Sequence, residues 1–160
     1  PHGIASNKPL NSGELVTVDF TGTFDDYATD MTRTFALGEP GARAREIYEI
    51  VRQAQEKARE RIRPGMSGSE ADALARSLIE EAGYGEHFGH GLGHGVGLEV
   101  HERPVLSPRG EETLLPGMVV TIEPGIYLPG EGGVRIEDMV LLTAEGAESL
   151  TRCSRELIII

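Results

Sequence analysis

Gly89-His90-Gly91-Leu92-Gly93-His94-Gly95-Val96-Gly97-Leu98-Glu99-Val100-His101-Glu102 is the stretch that decides how this 160-residue chain can fold. Glycine fills every second position from 89 to 97, and a glycine inside a helix costs about 1 kcal/mol relative to alanine. Extended chain is expected here, not helix. His90 and His94 are therefore not the helical pair of a zinc-binding H-E-x-x-H motif, whose glutamate would stand where Gly91 is. No window fits the dinucleotide fingerprint G-x-G-x-x-G, because His94, Val96 or Leu98 falls on its last position. Bare backbone beside imidazoles suits the close approach of a ligand or an ion. The competing reading is a loose, His-containing surface loop.

Upstream of this stretch the pattern is helical. Ile47, Val51, Ala54, Ala58 and Ile62 recur at helical spacing and line one face, and Pro64-Gly65 ends that helix. Ser69 with Asp72 resembles a capping box for a second helix, and Ser67 with Glu70 is the competing version. Ala71, Leu74, Ala75, Leu78 and Ile79 mark that helix, with Gly83 at its C′ position. Downstream, proline–glycine pairs punctuate β structure. Val119 to Ile122 and Val134 to Thr143 are strand candidates, and the apolar tail Leu157 to Ile160 calls for burial as a final strand. The first forty residues also read as β: Leu15, Val16, Val18 and Phe20 form one run, and Thr29 to Phe35 a second. This β–α–α–β order, with helices segregated, predicts an α+β fold.

Composition narrows the function. Apolar residues at 39% and charged residues at 26% describe an ordinary globular chain. A net charge of −11 repels phosphate backbones and anionic lipid, so nucleic acid and membrane are not expected partners. One cysteine, Cys153, and no apolar leader fit a cytoplasmic protein.

Some acids stand where acids are rare. Asp19 ends the run Leu-Val-Thr-Val-Asp, and Asp30 opens Asp-Met-Thr-Arg-Thr-Phe. Glu123 closes Met-Val-Val-Thr-Ile-Glu, and Glu137 lies within Val-Arg-Ile-Glu-Asp-Met-Val. Alternation puts Arg135 and Glu137 on one strand face, opposite Val134 and Ile136, so a wet side is one explanation. For single residues the plain alternative is a strand-end acid in a turn. Four such acids weaken it, since like charges converge only where a cation neutralises them. One histidine with several hard oxygens suits manganese, cobalt, iron or zinc. Two ions sharing bridging carboxylates would account for the convergence.

Val-Asp-Phe, Thr-Asp-Met-Thr-Arg-Thr-Phe, the glycine–histidine stretch, Pro-Gly-Met-Val-Val-Thr-Ile-Glu-Pro-Gly-Ile-Tyr and Gly-Val-Arg-Ile-Glu-Asp together resemble the pita-bread metallopeptidases. They are most similar to the Xaa-Pro dipeptidase and aminopeptidase branch. The fourteen-residue step from Glu123 to Glu137 resembles bacterial prolidase-like members more than methionine aminopeptidases. The resemblance implies a curved antiparallel sheet with helices on its outer face. It also implies hydrolysis of the bond before proline, by a hydroxide bridging two divalent ions, with manganese placed first and cobalt or zinc as alternatives.

By match, Asp19, Asp30, His94, Glu123 and Glu137 would hold the ions, Asp30 and Glu137 bridging, and Glu123 would also shuttle a proton. His90 and His101 would steady the substrate and the oxyanion. Arg135 would orient carboxylates, His2 would line the proline pocket, and Tyr127 the same site. The substrate would be a proline-containing peptide, and the full-length protein a homodimer. Thr21 and Asp26 depart from family glycines between the two aspartates, which predicts an altered loop and not a lost metal. The chain starts at Pro1, without the helices and strands that precede this segment in the family. Residues 1–160 are therefore expected to be the carboxy-terminal part of a catalytic domain, with apolar surface left to drive self-association. Two alternatives remain: a non-catalytic peptide-binding pita-bread module, or a creatinase-like hydrolase with another substrate.

Overall fold

A computed structural model describes residue 1 and residues 3–160. Strand β1 (Leu15–Phe24) turns back into β2 (Tyr27–Ala36), and helices α1 (Ala42–Arg61) and α2 (Gly68–Glu81) follow. A 3₁₀ turn over Gly85–His87 leads to β3 (Gly93–Gly95) and β4 (Glu102–Leu106). Then come β5 (Val119–Ile122), β6 (Gly125–Leu128), β7 (Gly132–Arg135), β8 (Asp138–Thr143), β9 (Gly146–Ser149) and β10 (Ile158–Ile159). The strands form three hydrogen-bonded groups, in the orders β1-β2-β10, β4-β3-β5-β8-β9 and β6-β7. All pairings are antiparallel except β10, which runs parallel to β2. The fold is α+β, as the segregated helices predict.

The core lies between the helices and the strands. Ile47, Val51, Ala54 and Ala58 of α1 and Ala71, Ala75 and Ile79 of α2 pack with Val120, Ile122, Ile126, Val134, Ile136, Val140 and Leu142. Small residues at Ala54, Ala58, Ala71 and Ala75 let the helix backbones come close. The second helix starts with the Ser67–Glu70 box, Ser67 Oγ accepting from the Glu70 amide and Glu70 reaching back to the Ser67 amide. The Ser69–Asp72 reading is thus corrected: Asp72 is buried, and its carboxylate is engaged elsewhere. Gly83 ends the helix with φ of 86°, a left-handed conformation that favours glycine.

Three other expectations change. Val134 to Thr143 is not one strand; it breaks after Arg135, so that β7 pairs with β6 and β8 with β5. There the Glu137 amide donates to the Thr32 carbonyl at 3.1 Å, leaving its own ladder for β2. The wet face also fails, since Arg135 and Glu137 are buried like their neighbours. The tail does form a strand, but Ile158, Ile159 and Ile160 are exposed. So are Val18, Phe20, Phe24 and Tyr27 on the outward face of the β1–β2 hairpin.

That hairpin closes through Asp25 and Asp26, with φ of 47° and 67°. Two consecutive positive φ values are what a two-residue type I′ turn requires, and Asp-Gly fills it better than Asp-Asp. The departure at Asp26 therefore strains the turn tip and leaves the register intact from Leu15↔Ala36 to Phe24↔Tyr27. Asp26→Gly is expected to stabilise the chain by about 1 kcal/mol, read as a higher denaturant midpoint at unchanged m.

Candidate metal centre

The hairpin register puts Asp19 opposite Thr32 and Thr21 opposite Asp30. By period-two alternation the four share one face, with the two aspartates diagonal to each other rather than directly opposite. His94 is the middle residue of β3, its amide donating to Thr121 Oγ1 at 3.0 Å. Glu123 follows β5, held by its amide donating to the Leu92 carbonyl at 2.8 Å. Glu137 sits in the break between β7 and β8. A cleft of about 300 Å³ is lined by all five, with His90, His101 and Arg135. Among the described residues no helix residue lines it, so the helices lie on the face away from the cleft.

Within the cleft, ligand atoms of Asp30, His94 and Glu137 lie within 4.8 Å of one another. His94 Nε2 is 3.3 Å from Glu123 Oε1 and 3.6 Å from Asp30 Oδ2. The opposite ring nitrogen, Nδ1, is 3.0 Å from the Gly95 carbonyl. A carbonyl only accepts, so Nδ1 carries a proton, and Nε2 is the nitrogen turned toward the acids, free to ligate once its own proton is lost. Asp19 lies further out, half-exposed, accepting from Arg135 Nη2 at 2.7 Å.

The electrostatics are unbalanced. Burial, with the charges of Glu123 and Asp30, pushes Glu137 up to about 8, while the Thr32 hydroxyl works against this. Burial and the charge of Asp19 raise Asp30 as well. Burial disfavours a charged His94, but the Glu123 hydrogen bond, the Gly95 carbonyl and nearby carboxylates outweigh it and lift the ring to about 9. Asp30 Oδ1 is buried with no hydrogen-bond partner among the described residues. Such an oxygen is costly unless a cation or donor completes it. Hard carboxylate oxygens, one oriented imidazole nitrogen and this orphaned atom fit divalent ions.

Arg135 ties the cleft together. Besides Asp19 it donates to Thr32 Oγ1 at 3.1 Å and to Tyr127 Oη at 3.1 Å, and Thr32 Oγ1 in turn donates to Glu137 Oε2 at 2.6 Å. Sequence reasoning missed Thr32, although its place two residues after Asp30 put it on the same strand face. Behind Glu137, Arg33 donates to the Glu137 carbonyl at 2.6 Å and pairs with buried Asp138, which also takes Gln55 and Arg155. Nothing in the local pattern marked this network.

Two expected roles shift. His90 Nδ1 faces the Gly91 carbonyl at 2.8 Å and Nε2 meets Tyr127 Oη at 2.9 Å. Burial lowers the His90 pKa and raises that of Tyr127, so a neutral ring accepts from the phenol. With Nδ1 bound to the Gly91 carbonyl and Nε2 accepting from Tyr127, His90 has no ring N–H left to donate into the cleft. His101 lines the cleft, lies tilted against the His94 ring at 4.3 Å, and has no ring hydrogen bond among the described residues. Tyr127 does not line the cleft; its hydroxyl is committed to His90 and Arg135. His2 lies outside the described residues.

The alternating glycines also gain a different reason. A Cβ on Gly91, Gly93 or Gly95 would stand 2.6, 2.1 or 2.2 Å from the carbonyl oxygens of Leu106, Thr121 and Arg103. The close approach is that of neighbouring backbone, and it brings His94 against β5.

This architecture is the pita-bread fold, with an acid-lined cleft on its sheet. An Xaa-Pro dipeptidase from Bacillus anthracis superposes on the whole chain with a TM-score of 0.98 at 53% identity, the match covering 45% of that structure. An X-Pro aminopeptidase from Thermotoga maritima does so with a TM-score of 0.96 at 45% identity, again over 100% of this chain and 45% of the other. The Xaa-Pro dipeptidase of Pyrococcus furiosus is 53% identical over 158 residues, 99% of this chain and 45% of that protein. Residues 1–144 match metallopeptidase family M24, and the chain belongs to that family. It spans just under half the length of these relatives.

Proposed function

We propose that this chain carries the metal centre of a hydrolase that cleaves the peptide bond before proline, as an Xaa-Pro dipeptidase or aminopeptidase. The observation that carries the reading is the convergence of Asp30, His94 and Glu137, with one buried Asp30 oxygen lacking a partner among the described residues. Residues 1–160 would supply the carboxy-terminal part of the catalytic domain, in a cytoplasmic protein that dimerises at full length. Asp19, Asp30, His94, Glu123 and Glu137 would hold two divalent ions, manganese first among them. Bound there, such ions supply Lewis acidity and acidify water at neutral pH.

The remaining work falls to the protein. Glu123 Oε1 accepts from Thr121 at 3.2 Å, and Oε2 has no protein partner among the described residues. That free oxygen supports a role for Glu123 in taking a proton and passing it to the leaving nitrogen. The proline ring nitrogen carries no N–H in the peptide, so it leaves as an amine only after protonation. His101 donates to the developing oxyanion. Arg135 holds Asp19 directly and Glu137 through Thr32, keeping the acids in register while substrate enters. A peptide with its charged amino end fits an acidic cleft better than an anionic ligand does.

The test is metal content together with hydrolysis of an Xaa-Pro dipeptide, a longer Xaa-Pro peptide, a methionyl peptide and creatine after manganese loading. Cleavage confined to Xaa-Pro bonds supports the reading, and the lengths accepted separate dipeptidase from aminopeptidase. His101→Ala is expected to lower kcat about 100-fold at unchanged metal content, the usual loss for one oxyanion donor. Creatine turnover, or metal binding without turnover of any peptide, would overturn it.

A further inference from the structure

Residues 88–92 carry His90 into the cleft without belonging to a strand or helix. Three of their backbone groups are bound by one pair of charges one turn apart on α2. Asp72 is buried there and Arg76 half-buried, with side-chain exposures of 1% and 16%. Arg76 donates from Nε to Asp72 Oδ2 at 2.6 Å and from Nη2 to Asp72 Oδ1 at 2.9 Å. The same guanidinium donates from Nη1 to the Phe88 carbonyl at 2.9 Å and from Nη2 to the His90 carbonyl at 2.6 Å. Asp72 Oδ1 also accepts the Leu92 amide at 2.9 Å. The guanidinium lies 4.1 Å from the centre of the Phe88 ring, and that ring meets the His90 ring edge-on at 5.0 Å.

An exposed i,i+4 ion pair contributes about 0.3–0.5 kcal/mol and has no partner to address. This one is largely desolvated, and the arginine fork reaches past Asp72 to two carbonyls of the loop backbone. A planar fork can hold a carboxylate and two carbonyls at fixed angles, whereas an ammonium cannot span them. Loop and imidazole are thereby fixed to a helix that contributes nothing to the cleft lining.

We propose that Asp72 and Arg76 are positioning residues for His90, clamping the 88–92 backbone so that the imidazole meets Tyr127 and holds its hydroxyl beside Arg135. The inference deepens the peptidase reading and rests on it for the catalytic consequence alone. A clamp remote from the reacting atoms matters because a misplacement of about 1 Å can cost on the order of 100-fold in rate.

Arg76→Lys, made in the full chain, keeps the charge and the pairing with Asp72 but loses the fork. The His90 ring resonances are expected to shift and broaden, while those of His94 and His101 stay in place. Unmoved His90 signals would overturn the clamp, as would equal movement of all three rings. Should the variant fail to fold, amide exchange on the unaltered chain decides. The Leu92 N–H, bound to Asp72, is expected to exchange far more slowly than that of Gly91, which has no protein acceptor among the described residues. Equal rates would overturn the proposal. If the chain turns over an Xaa-Pro peptide, Arg76→Lys lowers kcat/KM by about 10- to 100-fold. Adding His90→Ala then costs nothing further, and a multiplicative second loss would count against the clamp. Ring and exchange signals are read without turnover, so an inactive chain would sink the peptidase reading and leave this one to be judged separately.

Discussion

Replacing Glu137 by glutamine is expected to make the metal-free chain more stable and to abolish its response to manganese. Glu137 is buried among Glu123 and Asp30, which lifts it from 4.5 to about 8. An acid raised in the folded state binds its proton more tightly there than in the unfolded chain. Its stabilising contribution is full below 4.5 and is lost as pH rises through 8. His94, raised from 6.5 to about 9, loses its contribution in the same direction as pH climbs through that window. The metal-free protein should therefore melt at a lower temperature at pH 9 than at pH 5. Glutamine removes the Glu137 part of that loss, roughly 3–5 kcal/mol, on the order of 10 °C in Tm. Divalent ions act the opposite way, since they bind the deprotonated set and stabilise more as pH rises. Melts at pH 5, 8 and 9, with manganese and with a chelator, read both effects. A variant that still gains stability from manganese would remove Glu137 from the ligand set.

Gly93→Ala is expected to prevent folding or cost about 3 kcal/mol or more, whereas Gly89→Ala is expected to be tolerated. The added Cβ at position 93 would lie 2.1 Å from the Thr121 carbonyl oxygen and 2.7 Å from its Oγ1, and at position 89 it would meet nothing within 4 Å. The clash is with backbone in the middle of the five-stranded sheet, so no side chain can swing aside to relieve it. Overpacking of a core against backbone is paid in strand separation. Separating β3 from β5 also breaks the His94 amide bond to Thr121 and withdraws His94 from Glu123. Denaturant unfolding of the two variants distinguishes them, and a stable Gly93→Ala chain would refute the packing account of the alternating glycines.

Much of the fold was legible because the signals were local. The helical spacing of Ile47 to Ile62 and of Ala71 to Ile79 marks one apolar face each, and both helices form where expected. Asp19, Asp30, Glu123 and Glu137 stood out because acids beside β-branched residues violate ordinary strand chemistry, and the structure brings all four to one cleft. Where two local signals competed, sequence could not choose: Ser67–Glu70 caps α2 because Asp72 is drawn inward by Arg76 and the Leu92 amide. The break after Arg135 was hidden for a similar reason. Val-Arg-Ile-Glu-Asp-Met-Val is strand-like throughout, and the chain changes partners where long-range bonds from the Glu137 amide to Thr32 and from Arg33 to the Glu137 carbonyl take over.

Sequence by itself determined which residues can carry charge and ligate, which segments are helix or strand, and that helix was impossible between Gly89 and Gly97, because those properties belong to side chains and to backbone freedom one residue at a time. Tertiary structure alone decided that the His90 nitrogens are already taken, that Thr32 and Arg135 knit Asp19 to Glu137, and that the glycines admit neighbouring strands. These depend on distances between residues up to 116 positions apart, as for Asp19 and Arg135. Hydrogen bonds and steric contacts fall off within a few ångströms, so such pairings exist only once the chain has folded.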